Sequence, residues 1–313
     1  MKILITGGAG FIGSNFIIYM LNKYPSYKII NYDALTYAAN IKNLDEIKNN
    51  KNHEFIQGNI LDKKKVQESI KNCNVIINFA AESHVDNSIA NSSPFIQTNI
   101  VGTHNLLECA KEKGIDKFIQ ISTDEVYGSI DEGLFTESSL IQPNSPYSAS
   151  KAAADHLVKA YYETWGLNIN ITRCSNNYGP NQHDEKLIPK IIKNAINDLP
   201  IPIYGNGLNV RDWLHVEDHC QAIDLILHNG NPGEVYNIGG NNEWKNIDIV
   251  KKILKELNKS ESLIKFVDDR LGHDTRYAIN AEKIKKELNW NSKYDFNEGM
   301  LKIINWYKEK YKC

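Results

Sequence analysis

Thr6-Gly7-Gly8-Ala9-Gly10-Phe11-Ile12-Gly13 lies between an apolar run, Ile3-Leu4-Ile5, and a stretch with helical periodicity. In a strand–turn–helix of this kind the glycines at 7, 10 and 13 have separate jobs: a tight turn, close approach of backbone to a pyrophosphate, and close helix–strand packing. The N–H groups that open the helix then face the phosphates. Alone, such a glycine pattern is often only a turn. Asp33 gives it weight, because it closes the next apolar run 20 residues after Gly13. A carboxylate there binds both ribose hydroxyls and repels a 2′-phosphate, which favours NAD over NADP. Asn59, after the third run, is placed to contact adenine. Ala80 and Ala81, after the fourth, leave room for the cofactor or simply pack.

Working outward, strand-like runs at 2–6, 28–32, 53–57, 74–79, 117–122 and 168–173 alternate with helical stretches at 11–23, 41–49, 62–71, 94–113 and 146–165. This alternation predicts βαβ units and a parallel sheet. Runs such as Val75-Ile76-Ile77 show no polar alternation, as expected of strands covered on both faces. Ser145 can cap the 146–165 helix, Pro146 suits its first position and Gly166 follows its last turn. Further helices are expected at 186–198, 216–229, 246–258, 280–289 and 296–311, among turn-rich pieces. The expected fold class is α/β, a Rossmann-like doubly wound parallel sheet with a smaller C-terminal substrate-binding lobe. The division is 1–175 and 176–313, a soft boundary with some later segments returning to the main sheet.

The chain has 313 residues, 42% of them hydrophobic, and a formal net charge of −2. That balance argues against a general nucleic-acid or membrane surface. The longest apolar runs are far too short to span a bilayer. Cysteines stand alone at 73, 109, 174, 220 and 313, with no CxxC pair, so no metal site is expected. No signal peptide is visible, and a cytoplasmic, reduced protein is the expectation. Of the 36 basic residues only four are arginine, at 173, 211, 270 and 276. Where Lys supplies general charge, Arg marks places that need a planar fork, and all four lie in the second half.

Tyr147 and Lys151 are spaced i, i+4 and share a helix face. A tyrosine is a weak base at its usual pKa near 10. An adjacent ammonium favours the phenolate and brings it toward working pH. Thr123-Asp124-Glu125 ends the 117–122 strand, at the edge where open α/β sheets bind ligands. Thr123 can share a substrate hydroxyl with Tyr147. Two adjacent carboxylates in a dry cleft have coupled pKa values pushed apart, so one can act as acid and the other as base. Simple dehydrogenation needs only the Tyr and Lys. The extra pair implies further chemistry, unless it serves merely as a turn.

Together with Asp33-Ala34-Leu35-Thr36-Tyr37-Ala38, Ala80-Ala81-Glu82-Ser83-His84-Val85-Asp86, Cys174-Ser175-Asn176-Asn177-Tyr178-Gly179-Pro180, Arg211-Asp212-Trp213-Leu214 and Arg270-Leu271-Gly272-His273-Asp274, these segments resemble the extended short-chain dehydrogenase/reductases. Within them the chain looks like the dTDP-glucose 4,6-dehydratases, over essentially its whole length. The resemblance implies an NAD-dependent lyase that converts dTDP-glucose to the 4-keto-6-deoxy sugar nucleotide, with Tyr147 as base for the 4-OH, Glu125 for C5–H and Asp124 as acid for the leaving water. It extends the cofactor set to Phe11, Ile12, Thr36, Ile60, Ser83 and Thr98. It implies substrate contacts at Ser83, Thr123, Asn176, Lys186, Leu187, Pro202, Tyr204, Arg211, Asn246, Arg270 and His273, with Arg211 and Arg270 on the diphosphate. It also implies a homodimer through the helix before Thr123 and the Tyr147 helix. The chain departs from the family pattern at Asn59 (usually Asp), Leu271 (usually Pro) and Thr275 (often Arg).

A UDP-sugar 4-epimerase or UDP-sugar 4,6-dehydratase is the nearest competing reading, and 4-epimerases typically lack the Asp-Glu pair. A non-catalytic NAD-binding protein is more remote, since its expected mark, a broken Tyr-Lys or carboxylate pair, is missing.

Overall fold

The computed structural model describes residues 1–311. Its strands, in chain order, are β1 (Lys2–Thr6), β2 (Lys28–Asp33), β3 (His53–Gln57), β4 (Val75–Asn78), β5 (Lys117–Thr123), β6 (Ile169–Cys174), β7 (Asn176–Tyr178), β8 (Ile201–Tyr204), β9 (Val210–His215), β10 (Val235–Ile238), β11 (Glu243–Lys245) and β12 (Ile264–Val267). Seven of them form one sheet in the order β10-β6-β5-β4-β1-β2-β3, with every neighbouring pair parallel. The chain runs outward from β1 in one direction and, after a crossover, from β4 in the other. The crevice at that reversal is where doubly wound sheets take ligands.

Both faces of this sheet are dry, which explains the unbroken apolar strands. On one face Ile3, Ile5 and Ile77 pack under the Phe11–Lys23 and Val216–Asn229 helices. On the other, Leu4, Ile76 and Phe118 meet the Lys63–Ser69, Thr103–Lys113 and Pro146–Trp165 helices. A separate core joins the Leu187–Ile196, Asn246–Glu256 and Phe296–Lys310 helices to β8 and Trp213. Two small sheets, β11-β9-β7 and β12-β8, lie outside the main one. β10 is the later segment that comes back to it.

The Pro146–Trp165 helix has the expected ends: Ser145 and Ser148 form a reciprocal cap, and Gly166 closes it at φ +67°. Two expected helices differ. The stretch at 41–49 is a 3₁₀ segment, Ile41–Ile47, begun by Asn40, whose side chain accepts from Lys42 N. The stretch at 94–113 is interrupted by a π turn over Ile96–Gly102 before Thr103–Lys113 continues as α-helix. Gly102 packs directly on Ile60 there; a Cβ would lie 2.4 Å from Ile60 Cδ1. Among the described residues no helix is long and apolar enough to cross a membrane, and the described cysteines are unpaired. Cys313 lies outside the described residues.

Candidate active site

The glycine turn leaves no room for side chains. A Cβ on Gly13 would come within 2.4 Å of Gly7 O, and one on Gly7, at φ +68°, within 2.7 Å of Ala80 N. Asp33 leaves the end of β2 and accepts from Ala9 N at 2.9 Å and Leu35 N at 2.7 Å, so it orders the turn it adjoins. Burial raises its pKa and these two donors pull it back. Asn59 is held by its own loop: its Oδ1 accepts from Leu61 N, and its carbonyl accepts from Tyr32 Oη.

One continuous cleft is lined by Gly7, Gly10, Phe11, Ile12, Gly13, Asp33, Thr36, Asn59, Ile60, Ala80, Ala81, Ser83, Thr98, Tyr147 and Lys151, the whole expected cofactor set. Thr123, Asp124, Glu125, Asn176 and Lys186 line the same cleft. The tight turn, in which Gly7 and Gly13 have no space for a Cβ, and the Asp33 carboxylate at its end fit a dinucleotide.

The chemistry gathers where β5 ends. Thr123 is the N-cap of a single 3₁₀ turn, Asp124–Tyr127, and its Oγ1 accepts from Glu125 N. Asp124 is 2% exposed, and its Oδ2 is buried without a hydrogen-bond partner among the described residues. Burial, then Glu125, then Asp212 raise the Asp124 carboxyl well above the ordinary range. Burial also raises Glu125, against the pull of Arg211, Arg270 and Lys186. Burial thus raises both adjacent carboxyls, Asp124 the more strongly, while Arg211, Arg270 and Lys186 draw Glu125 back.

Tyr147 departs from expectation. Burial, Glu125 and Cys174 push its phenol well above 10, and Thr123 offsets only part. Lys151 does not counter this: burial lowers its own pKa, and its Nζ donates to Ile121 O at 2.7 Å. Helical spacing brings the pair to one face, but burial first, and then Glu125 and Cys174, set the direction of the Tyr147 shift.

The substrate-side residues divide. Lys186 Nζ donates to Ser83 O at 2.9 Å, bridging the cleft walls. Leu187, Pro202, Tyr204, Arg211, Asn246, Arg270 and His273 do not line the cofactor cleft. Tyr204 and Arg270 instead converge on Asp86: Tyr204 Oη donates to Oδ2 at 3.0 Å, and Arg270 Nη1 lies 3.8 Å from Oδ1. His273 meets Tyr204 edge-on at 6.1 Å. Leu187 opens its helix, Pro202 lies on β8, and Asn246 opens another helix with its Oδ1 buried and without a hydrogen-bond partner among the described residues. Arg211 stacks on Tyr277 at 4.1 Å and donates to Val210 O and Asp274 O. Arg276 is taken up by a two-point pair with Glu243.

Sequence reasoning placed Glu82 and Asp86 in the Ala80–Asp86 segment without giving either a role, and passed over Glu185. Glu82 and Glu185 line the cleft beside expected residues. Their adjacency to Ser83 and Lys186 was the available signal, while only the fold brings Asp86 to Tyr204 and Arg270.

The family model described as GDP-mannose 4,6 dehydratase matches residues 4–303. The dTDP-glucose 4,6-dehydratase of Escherichia coli is 48% identical over 339 residues, covering 98% of this chain and 93% of that one. The chain belongs to the dTDP-glucose 4,6-dehydratase family. The low-salt glycan biosynthesis protein Agl12 of Haloferax volcanii is 50% identical over 307 residues, 98% of both chains. Among solved members of the dehydratase family, DesIV of Streptomyces venezuelae, with NAD and TDP bound, superposes with a TM-score of 0.97 at 45% identity, covering 99% of this chain and 97% of that one.

Proposed function

We propose that this protein is an NAD-dependent hydro-lyase that converts dTDP-glucose to dTDP-4-keto-6-deoxyglucose and water, in deoxysugar nucleotide biosynthesis. The observation that carries the reading is the pair Asp124 and Glu125, set at the end of β5 in the same cleft as Tyr147, Lys151 and the dinucleotide cradle.

NAD, held by the cradle, Asp33, Asn59, Thr98 and Lys151, supplies the hydride acceptor for C4 and the hydride donor for C6 within one turnover. Tyr147 takes the 4-OH proton as C4 is oxidised, and Thr123 shares that hydroxyl. The 4-ketone acidifies C5–H, and Glu125 removes that proton. Asp124 gives its proton to the 6-OH, the C6–O bond breaks and water leaves. Glu125 returns its proton to C5 as C6 is reduced. The proton gained by Tyr147 then replaces the one lost by Asp124, so atoms and charges balance. Arg211, Arg270, Lys186, Tyr204, His273, Asn176, Asn246, Ser83, Leu187 and Pro202 form the nucleotide-sugar side.

In this reading residues 1–175 are the NAD-binding part and 176–313 the substrate lobe, with β10 on the main sheet. The chain acts in the cytoplasm as a homodimer through the Thr103–Lys113 and Pro146–Trp165 helices, which light scattering of the purified protein tests. The deciding assay is incubation with dTDP-glucose, without added reductant, followed by mass spectrometry. Loss of one water, about 18 mass units, with no net NADH is the expected result. An unchanged mass with an altered C4 configuration would make it an epimerase instead.

A further inference from the structure

Behind the acid–base turn lies a buried polar network that the proposed reaction does not use. Arg173, on β6, donates from Nε to Asp155 Oδ2 at 3.0 Å and from Nη1 to Tyr127 Oη at 2.9 Å. Tyr127 Oη donates onward to Asn237 Oδ1, on β10, at 2.8 Å. All four residues are at most 4% exposed. The Arg173 guanidinium lies 4.9 Å from the Tyr127 ring centroid, and Phe135 stacks on that ring at 5.1 Å. Asn237 is fixed in turn, its N–H by Glu137 Oε1 and its amide by Phe135 O.

The two arms of Arg173 reach two different pieces of machinery. Asp155 lies on the Pro146–Trp165 helix, one turn after Lys151 and two after Tyr147. Tyr127 is the last residue of the 3₁₀ turn that carries Asp124 and Glu125. After it, Gly128 turns the chain at φ +84°, where a Cβ would strike Gln142 O at 2.4 Å. Within this 3₁₀ turn Asp124 and Glu125 line the cleft and Tyr127 does not; its buried hydroxyl is instead bonded to Arg173 and Asn237. A planar guanidinium can hold a carboxylate and a hydroxyl at fixed angles, which an ammonium on a flexible stem cannot.

We infer that Tyr127, clamped by Arg173 and Asn237, is a positioning residue that sets the Asp124–Glu125 turn against the Tyr147 helix for the elimination of water. The inference rests on the dehydration reading, and its failure is separable from the failure of that reading. A wild-type protein that leaves dTDP-glucose intact defeats the reading. An active wild type with an unaffected variant defeats only the inference.

The test is Tyr127→Phe, which keeps the ring and its stacking and removes one hydroxyl. Rapid-quench mass spectrometry separates the 4-keto-glucose nucleotide from the 4-keto-6-deoxy product, while absorbance follows bound reduced nicotinamide. A small misplacement of reacting groups lowers a rate by about 10- to 100-fold. That loss is expected in water elimination, with first oxidation changed less than about twofold, so that the 4-ketone and reduced cofactor accumulate. Arg173→Lys is expected to shift the partition the same way, and serves alone if the Phe variant does not fold. Ile253→Val, in the far core, gives a purely structural loss of Tm and leaves the partition unmoved. Wild-type partition in both Tyr127→Phe and Arg173→Lys, or a shift equal to that of Ile253→Val, overturns the inference.

Discussion

Lys151 Nζ is bonded to the carbonyl oxygen of Ile121, 2.7 Å away, and burial lowers the pKa of its ammonium from 10.5. A depressed lysine penalises the charged folded state, and the penalty is complete below the folded pKa and fades as pH rises toward 10.5. Lys151→Met is therefore expected to melt at the same temperature as the wild type or higher near neutral pH, with the difference shrinking in alkaline buffer. Turnover falls about 100-fold or more. Thermal melts across pH, beside product analysis, check both parts; a variant that melts lower only at neutral pH contradicts the sign.

Asp124→Asn keeps the shape of a protonated carboxyl without the proton to give. Water loss is expected to fall by about 10²- to 10⁴-fold while some 4-ketone still forms. Because the folded pKa of Asp124 is raised above 3.8, its burial costs stability increasingly as pH climbs above that value. The variant should gain Tm relative to wild type between mildly acidic and neutral pH. Full dehydratase activity in the variant would remove Asp124 from the acid role.

The two half-reactions should respond oppositely to pH. Tyr147, held well above 10, must lose its proton to act as base, so first oxidation should quicken as pH rises. Asp124 must keep its proton, so elimination should slow at the alkaline end. Single-turnover kinetics at several pH values resolve the slopes. Tyr147→Phe should abolish the alkaline gain in the first step; a Phe variant that forms ketone at the wild-type rate means another group is the base.

Gly13→Ala places a methyl 2.4 Å from Gly7 O, against backbone that has no room to move. The expected result is a protein purified with little or no NAD and a lower Tm, read by cofactor release on denaturation and by calorimetry. Gly114, whose Cβ would meet nothing within 4 Å, is the comparison site, although its φ of +64° strains any side chain.

The main sheet was readable because its strands are short apolar runs between turn residues, and because Gly7, Gly13 and Asp33 each carry a local geometric requirement. The Pro146–Trp165 helix was readable from Ser145, Pro146 and Gly166 alone. Periodicity could not show the π turn at Ile96–Gly102, since an inserted residue leaves the apolar pattern almost unchanged. Nor could spacing show that Tyr147 would be dominated by burial, Glu125 and Cys174, a sum over groups on different elements. Asp86 belongs with Tyr204 and Arg270 only in three dimensions, 118 residues from Tyr204.

The π turn has a consequence of phase. Successive residues in an α-helix are about 100° apart around the axis, and one wide turn carries one residue more than the regular ladder needs. Deleting a single residue between Ile96 and Gly102 would let the ladder close as ordinary α-helix with the Ser93–Phe95 turn and the Thr103–Lys113 helix still in phase, because the wide turn is what absorbs the extra residue. Only positions inside the turn would be re-spaced, Thr98 on the cleft wall among them, while the helices on either side kept their faces.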